Sequence, residues 1–276
     1  MTTRIISAAV AIVVAIVLLL LHNTFVFNLA LGFLSITAIY EIFKAAKLDK
    51  YAVPMYVCFG YAALDVIMPL FYKKGHLYFF SSSLYFGLFI LGMCLLFLKD
   101  HDTFGHKEFF CMIGVTYLIC YSFQRLLLMS TRANGGVFLI VITLCAAWLA
   151  DSGAYFAGTF FGKTKLCPQI SPKKTVEGVI GGVLANGVFM LIISVVYDKA
   201  LKGQAVNYLG VFIAGMLAAV IGLVGDLTAS VIKRQTGIKD YGKLMPGHGG
   251  VMDRFDSVLL VAPFMYYMVT QGWILK

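Results

Sequence analysis

Nine stretches of this chain, roughly 5–22, 25–43, 52–72, 78–98, 108–129, 135–150, 176–197, 208–230 and 255–275, are almost wholly apolar. A helix crossing the hydrocarbon core of a bilayer needs about 20 such residues, and there the backbone must satisfy its own N–H and C=O groups. The runs are long and do not alternate, so they predict helices and leave strands without support. Only 13% of residues are charged, about half the share of a soluble domain, too few to cover a water-facing surface. The expected fold is therefore all-α: a polytopic, multi-pass integral membrane protein with about nine transmembrane helices, the sixth of them short. The run that follows Arg4 precedes no small-x-small cleavage site and is expected to stay as the first helix.

The net charge of +9 does not point to nucleic acid, because the basic residues sit in short connections and form no continuous basic surface. They report orientation instead. Alternating the connections across the membrane places fifteen of the twenty-two basic residues on one side. These are Arg4, Lys44, Lys47, Lys50, Lys99, Lys107, Lys163, Lys165, Lys173, Lys174, Lys233, Arg234, Lys239, Lys243 and Arg254. Lys73, Lys74, Arg125, Arg132, Lys199, Lys202 and Lys276 fall on the other. The excess predicts a cytoplasmic N-terminus and cytoplasmic loops at 151–175 and 231–254. The six cysteines show no C-x-x-C spacing and read as small hydrophobes rather than disulfides or metal ligands.

Those two loops are long, basic and glycine-bearing, and each adjoins an apolar run that carries an aspartate. No internal repeat is present. The chain thus reads as one membrane domain with plain spans over 1–135 and a catalytic region over 136–276, its active site at the cytoplasmic side. Asp226 lies deep in an apolar run, where an ionised carboxylate costs about 2.5–3.5 kcal/mol on insertion scales and calls for a partner and a polar cavity. Asp151 ends another run, where it is either a pocket residue or a helix-end carboxylate. Asp65 is read as structural, without polar company. Asp253 and Asp256, spaced i, i+3, are expected to open the last helix on one face, where the helix dipole alone would favour them. With Asp226 closing the preceding span, the three carboxylates can converge on a hard cation. Mg²⁺ typically takes one or two carboxylates, the rest of its shell being water and phosphate oxygens.

Gly247, Gly249 and Gly250 precede these aspartates and would let backbone N–H groups approach an anion. His248 has no second His or Cys at a zinc spacing; it reads as ordering the glycine turn or donating to a phosphate. Ser171 and Pro172 are expected to begin a helix, which would put Lys173 and Lys174 in a first turn whose dipole disfavours them. That placement suggests either a ligand carrying negative charge or anionic lipid headgroups. Metal, polyphosphate and lipid together point to phosphoryl or nucleotidyl transfer onto a membrane substrate.

The segment "SVIKRQTGIKDYGKLMPGHGGVMDRFDS" (230–257), with "ADSGAYFAG", "SPKKTVEG" and "GDLTAS" upstream, closely resembles the signature of the phosphatidate cytidylyltransferases, or CDP-diacylglycerol synthases. The likeness is dense over roughly 145–257 and before that rests on the multiple spans alone. It implies that CTP and phosphatidic acid give CDP-diacylglycerol and pyrophosphate, a step of phospholipid biosynthesis. It further implies Mg²⁺ as cofactor, beside which family members can hold a monovalent cation such as K⁺, and it allows a homodimer. On this likeness Asp226 and Asp253 are the leading metal ligands, with Asp256 and Asp240 next. Lys239, Asp240 and His248 join Asp226 and Asp253 as the expected catalytic set. Ser171, Lys173, Lys174, Lys233, Arg234, Arg254, Gly249, Gly250 and Asp151 are the expected contacts for the phosphates of CTP or phosphatidate. Two positions depart from the family pattern: Met245 stands where Leu, Ile or Phe is commoner. Thr159 stands where a basic residue is common, which would either remove one phosphate contact or shift it to Lys163 or Lys165.

A CTP-dependent polyprenol kinase would use similar residues but move the γ-phosphoryl group to a lipid alcohol. A transporter would show paired halves with charges near both midplanes, whereas the polar residues here cluster in the second half. A noncatalytic lipid-binding scaffold would not need the full acidic set.

Overall fold

A computed structural model describes residues 2–72, 82–132, 135–200 and 205–275. Lys73, Lys74, Lys202 and Lys276, which enter the orientation argument, lie outside the described residues, as does the expected start of the fourth span at 78. The helices are α1 (Thr2–Leu20), α2 (Phe25–Ala45), α3 (Ala52–Tyr72), α4 (Ser82–Lys99), α5 (His106–Ser130), α6 (Gly136–Phe161), α7 (Val176–Ala200), α8 (Tyr208–Gln235), a single turn α9 (Met252–Phe255) and α10 (Val258–Thr270). Among the described residues, α2 through α8 are long and apolar enough to cross a membrane, while Ile6–Leu20 and Val258–Thr270 are shorter apolar helices. The protein is an all-α, multi-pass membrane protein, as its apolar runs predict.

Three local expectations are corrected. First, α6 does not stop at 150 but runs to Phe161, so Asp151 lies within a helix rather than at its end. Second, the shortened connection carries a two-stranded antiparallel hairpin, β1 (Lys165–Cys167) against β2 (Ser171–Thr175). Ser171, Lys173 and Lys174 therefore belong to a strand and not to a helical first turn, and the dipole argument made for the lysines does not apply. Third, α10 begins only at Val258, so Asp253 and Asp256 do not share one continuous helix.

The chain divides into two compact units, the first formed by 1–127 with 240–253 and the second by 128–239 with 254–276. In the first unit α1 packs on α2, α2 on α3 and α3 on α4. Its buried polar centre is a correction to the isolated structural role expected of Asp65. The Asp65 carboxylate, 2% exposed, accepts hydrogen bonds from Tyr85 Oη at 2.9 Å and Gln124 Nε2 at 2.8 Å. Partners from α4 and α5 thus meet one oxygen of a carboxylate on α3, giving it polar company that lipid could not.

In the second unit α6, α7, α8 and α10 pack together, and small residues set how closely. A Cβ added at Gly182 on α7 would lie 2.8 Å from Ala150 O and 2.8 Å from Ala154 Cβ on α6. One at Gly178 would lie 2.8 Å from Ala154 O. Lipid gives apolar helices no reason to exclude it from between them, so close backbone contact is what holds such pairs. Asn186, fully buried on α7, donates from Nδ2 to Ala146 O of α6 at 3.0 Å and Gly215 O of α8 at 2.8 Å. Interhelical hydrogen bonds in membrane proteins average about 0.6 kcal/mol. Asn186→Ala is therefore expected to cost about 1–2 kcal/mol, read as a lower midpoint in a detergent thermal melt with the helical signal intact below it.

Candidate active site

In the second unit the long run of α6 carries Asp151, β2 carries Lys174 and α8 carries Asp226. The Lys174 ammonium donates to Asp226 Oδ2 at 2.6 Å and lies 3.6 Å from Asp151 Oδ1. The two aspartates read from the sequence as separate anomalies thus share one lysine. Lys174 and Asp226 are mostly shielded, with side chains 22% and 24% exposed, whereas Asp151 is 54% exposed. The hairpin delivers the lysine. Glu177, in the first turn of α7, accepts N–H bonds from Lys163 and Thr164 at 3.1 Å and ties down the hairpin's entry. At its exit the Thr175 hydroxyl accepts the Gly178 N–H at 3.1 Å.

Around this triad lies a cavity of about 530 Å³. Asp151, Ser171, Lys173, Lys174, Lys165 and Asp226 supply its polar lining, and Ala150, Ala154, Val179, Val183, Ala219 and Leu223 an apolar one. Thr159 lines it as well, its hydroxyl donating to Tyr155 O at 2.7 Å. Since Lys165 lines the same cavity, a cation is available there despite the threonine. Lys165 was not among the leading expected contacts, because its place on a hairpin facing the cavity is not visible in its local sequence.

Asp256 belongs to the same unit and is 8% exposed. Burial, then the nearby negative charge of Asp226, push its carboxyl up to about 6, against hydrogen bonds from Ser257 that favour the charged form. Gly225 permits this approach, since a Cβ there would stand 2.7 Å from Asp256 O. Trp148 Nε1 donates to Arg254 O at 3.0 Å and anchors the same stretch to α6. Lys233 lies close enough to Asp256 to favour its charged form. Arg234, Lys239 and Arg254 are exposed.

In the first unit the segment 240–253 is a tight turn built on two left-handed glycines, Gly247 (φ 78°) and Gly249 (φ 89°). It is closed by Met245 N–H to Gly249 O at 2.9 Å and His248 N–H to Met245 O at 2.8 Å. Asp253 Oδ2 accepts the Tyr241 N–H at 2.8 Å and the Gly250 N–H at 3.0 Å. The Gly250 amide, expected to cradle phosphate, is thus held by the chain's own carboxylate. His248 Nδ1 hydrogen-bonds Ser7 Oγ of α1 at 2.8 Å, so its ring ties the turn to α1. Asp240 is exposed.

Glu41 on α2 was not singled out from the sequence. Its carboxylate, 5% exposed, accepts the Val251 N–H at 3.1 Å and the Met252 N–H at 2.8 Å. The signal was present: a lone acid inside the apolar run 25–43, the same anomaly that marks Asp226.

Among the described residues no three His, Cys, Asp or Glu side chains form a metal cage. The donor set still fits a hard cation completed by substrate phosphates, because Asp226 and Asp256 are like charges held near one another, and a divalent ion relieves that repulsion.

Helices long and apolar enough to span a membrane, with a cavity lined partly by charged and partly by apolar side chains, define a membrane-embedded protein. The family model of the cytidylyltransferase family matches residues 2–271. A phosphatidate cytidylyltransferase of Haemophilus influenzae is 33% identical over 96% of this chain and 96% of its own. One from Bacillus subtilis is 29% identical over 98% of this chain and 97% of its own. One from Staphylococcus haemolyticus is 30% identical over 98% and 100%. The chain belongs to the cytidylyltransferase family, and it is a CTP-dependent nucleotidyltransferase of the membrane.

Proposed function

We propose that this protein transfers CMP from CTP to phosphatidic acid, giving CDP-diacylglycerol and pyrophosphate at the cytoplasmic face. The observation that carries the reading is the 530 Å³ cavity, charged on one side and apolar on the other. A phosphate headgroup suits the first lining and a glycerol backbone with its acyl chains suits the second. The names of the full-length relatives support the same acceptor, and the excess of basic residues on one set of loops supports the orientation.

In this reading a phosphatidate oxygen attacks the α-phosphorus of CTP, and the bond to the β-phosphate oxygen breaks as pyrophosphate leaves. The nucleophile is already an anion, so no strong general base is required. The work is to bring two anions together and neutralise charge on the leaving group. Lys165, Lys173 and Lys174 meet the phosphates, and Ser171 donates to them. Lys174 holds Asp226 in place until a phosphate oxygen competes for its ammonium, which then leaves the Asp226 carboxylate open to a cation. On the sequence signature Asp253 is the second leading ligand for Mg²⁺, with Asp256 and Asp240 next, and a monovalent ion such as K⁺ can sit beside it. When bound, Mg²⁺ supplies positive charge for the triphosphate and the departing pyrophosphate.

The test is transfer of label from α-labelled CTP to phosphatidic acid in detergent micelles, with and without Mg²⁺. Wild type is expected to label lipid only with Mg²⁺, and Asp253→Asn to lose that labelling. Full Mg²⁺-dependent activity in the variant would remove Asp253 from the metal site. Label reaching a lipid alcohol from γ-labelled CTP, and none from α-labelled CTP, would replace the reading by a polyprenol kinase.

A further inference from the structure

We propose that Glu41 is a positioning residue of the active site: it fixes the backbone that presents Asp253, although it lies in the plain N-terminal half of the chain. The inference deepens the cytidylyltransferase reading and rests on it for its catalytic consequence, while its structural part stands alone.

Within the first unit, two carboxylates divide four backbone amides of the 240–253 segment between them. Asp253 takes those of Tyr241 and Gly250, and Glu41 takes those of Val251 and Met252. The turn is thereby clamped from both sides. Charge-assisted bonds of this kind are about twice as strong as neutral ones, and the Glu41 carboxylate is nearly sealed from solvent, so neither partner has water to turn to.

The glycines of the signature acquire a specific reason here. A Cβ on Gly242 or on Gly250 would collide with the Glu41 carboxylate, and one on Gly249 would stand 2.8 Å from Asp253 Oδ2. Gly242 and Gly250 leave room for the acid on α2, and Gly249 for the acid that follows. A glutamate buried only for stability would need two donors from anywhere nearby. This one instead takes its donors from the two residues immediately before Asp253, and the turn is shaped around its side chain. Outer partners that orient a metal ligand typically cost about 10–100-fold in activity or metal affinity when removed.

The test uses the full-length protein in detergent, metal-free, with Glu41→Gln as first variant. Hydrogen exchange read on peptides covering 241–252 is expected to quicken at Val251 and Met252 by at least about tenfold, since bonds to a charged acceptor are among the stronger ones, with the rest of α2 unchanged. CMP transfer is expected to fall about 10–100-fold. Gly250→Ala approaches the contact from the other side, pushing a methyl into the carboxylate, and is expected to give the same two changes. It also serves if Glu41→Gln does not fold. Wild-type exchange and turnover in the folded variants would overturn the proposal. A wild type that transfers no CMP would overturn the reaction reading instead, and the exchange result alone would then decide whether Glu41 holds the turn.

Discussion

Asp226→Asn is expected to leave the protein folded and to lower CMP transfer by a factor of about 100 to 1000, the range seen when one preorganised electrostatic partner is removed. Asparagine keeps the shape of the side chain and can still accept the Lys174 hydrogen bond now made at 2.6 Å. Asp151, 3.6 Å from the same ammonium, remains to hold the lysine. What disappears is the negative charge that a cation and its bound triphosphate would use. The loss should therefore fall on turnover and on the Mg²⁺ requirement, while the thermal midpoint moves little. A variant with wild-type turnover would remove Asp226 from the chemistry and return it to a structural ion pair.

The largest structural effect is expected at Gly182. Leucine there would drive its side chain into Ala150 O and Ala154 Cβ, each 2.8 Å from the first added carbon. A backbone carbonyl within a helix cannot rotate away. The α6–α7 contact must open, at a cost of about 1–3 kcal/mol or more for overpacking. Because Gly182 also lines the cavity, the new side chain would occupy substrate space. Gly182→Leu should lower the detergent melting midpoint and abolish CMP transfer together. Gly60→Leu is the control: nothing lies within 4 Å of a Cβ at that exposed helical position, and its effect should stay within about 0.5 kcal/mol. Equal behaviour of the two variants would show that helix separation does not limit this site.

The helices were legible in the sequence because hydrocarbon imposes one rule on every residue that enters it, and a run of apolar residues is its direct trace. Asp226 and Asp151 were legible for the converse reason, as charges the rule should have excluded. Their shared partner was not, because Lys174 reaches them from a strand. The hairpin of 165–175 has no alternating apolar face, and its lysines read equally well as a helix start. The break before Val258 was hidden by the continuing apolarity of the run. Glu41 was missed differently: it broke the rule as openly as Asp226 did, but nothing near it in sequence suggested what it held. The family signature supplied what local physics did not, since a spaced set of residues can be matched before the geometry that unites them is known.

The bonds from Val251 and Met252 to Glu41 span 210 and 211 residues of chain. A ribosome adding about 5–20 residues per second needs roughly 10–40 s to pass from one end of that contact to the other. When that interval begins Glu41 has been made while Val251 and Met252 have not, and α3 to α8 are synthesised during it. The first unit is therefore the first to begin and among the last to be completed, and contacts of such separation are intrinsically slow to form. The Glu41 bonds to Val251 and Met252 can form only after α8 has been made, which makes the late chain a requirement for finishing the early unit.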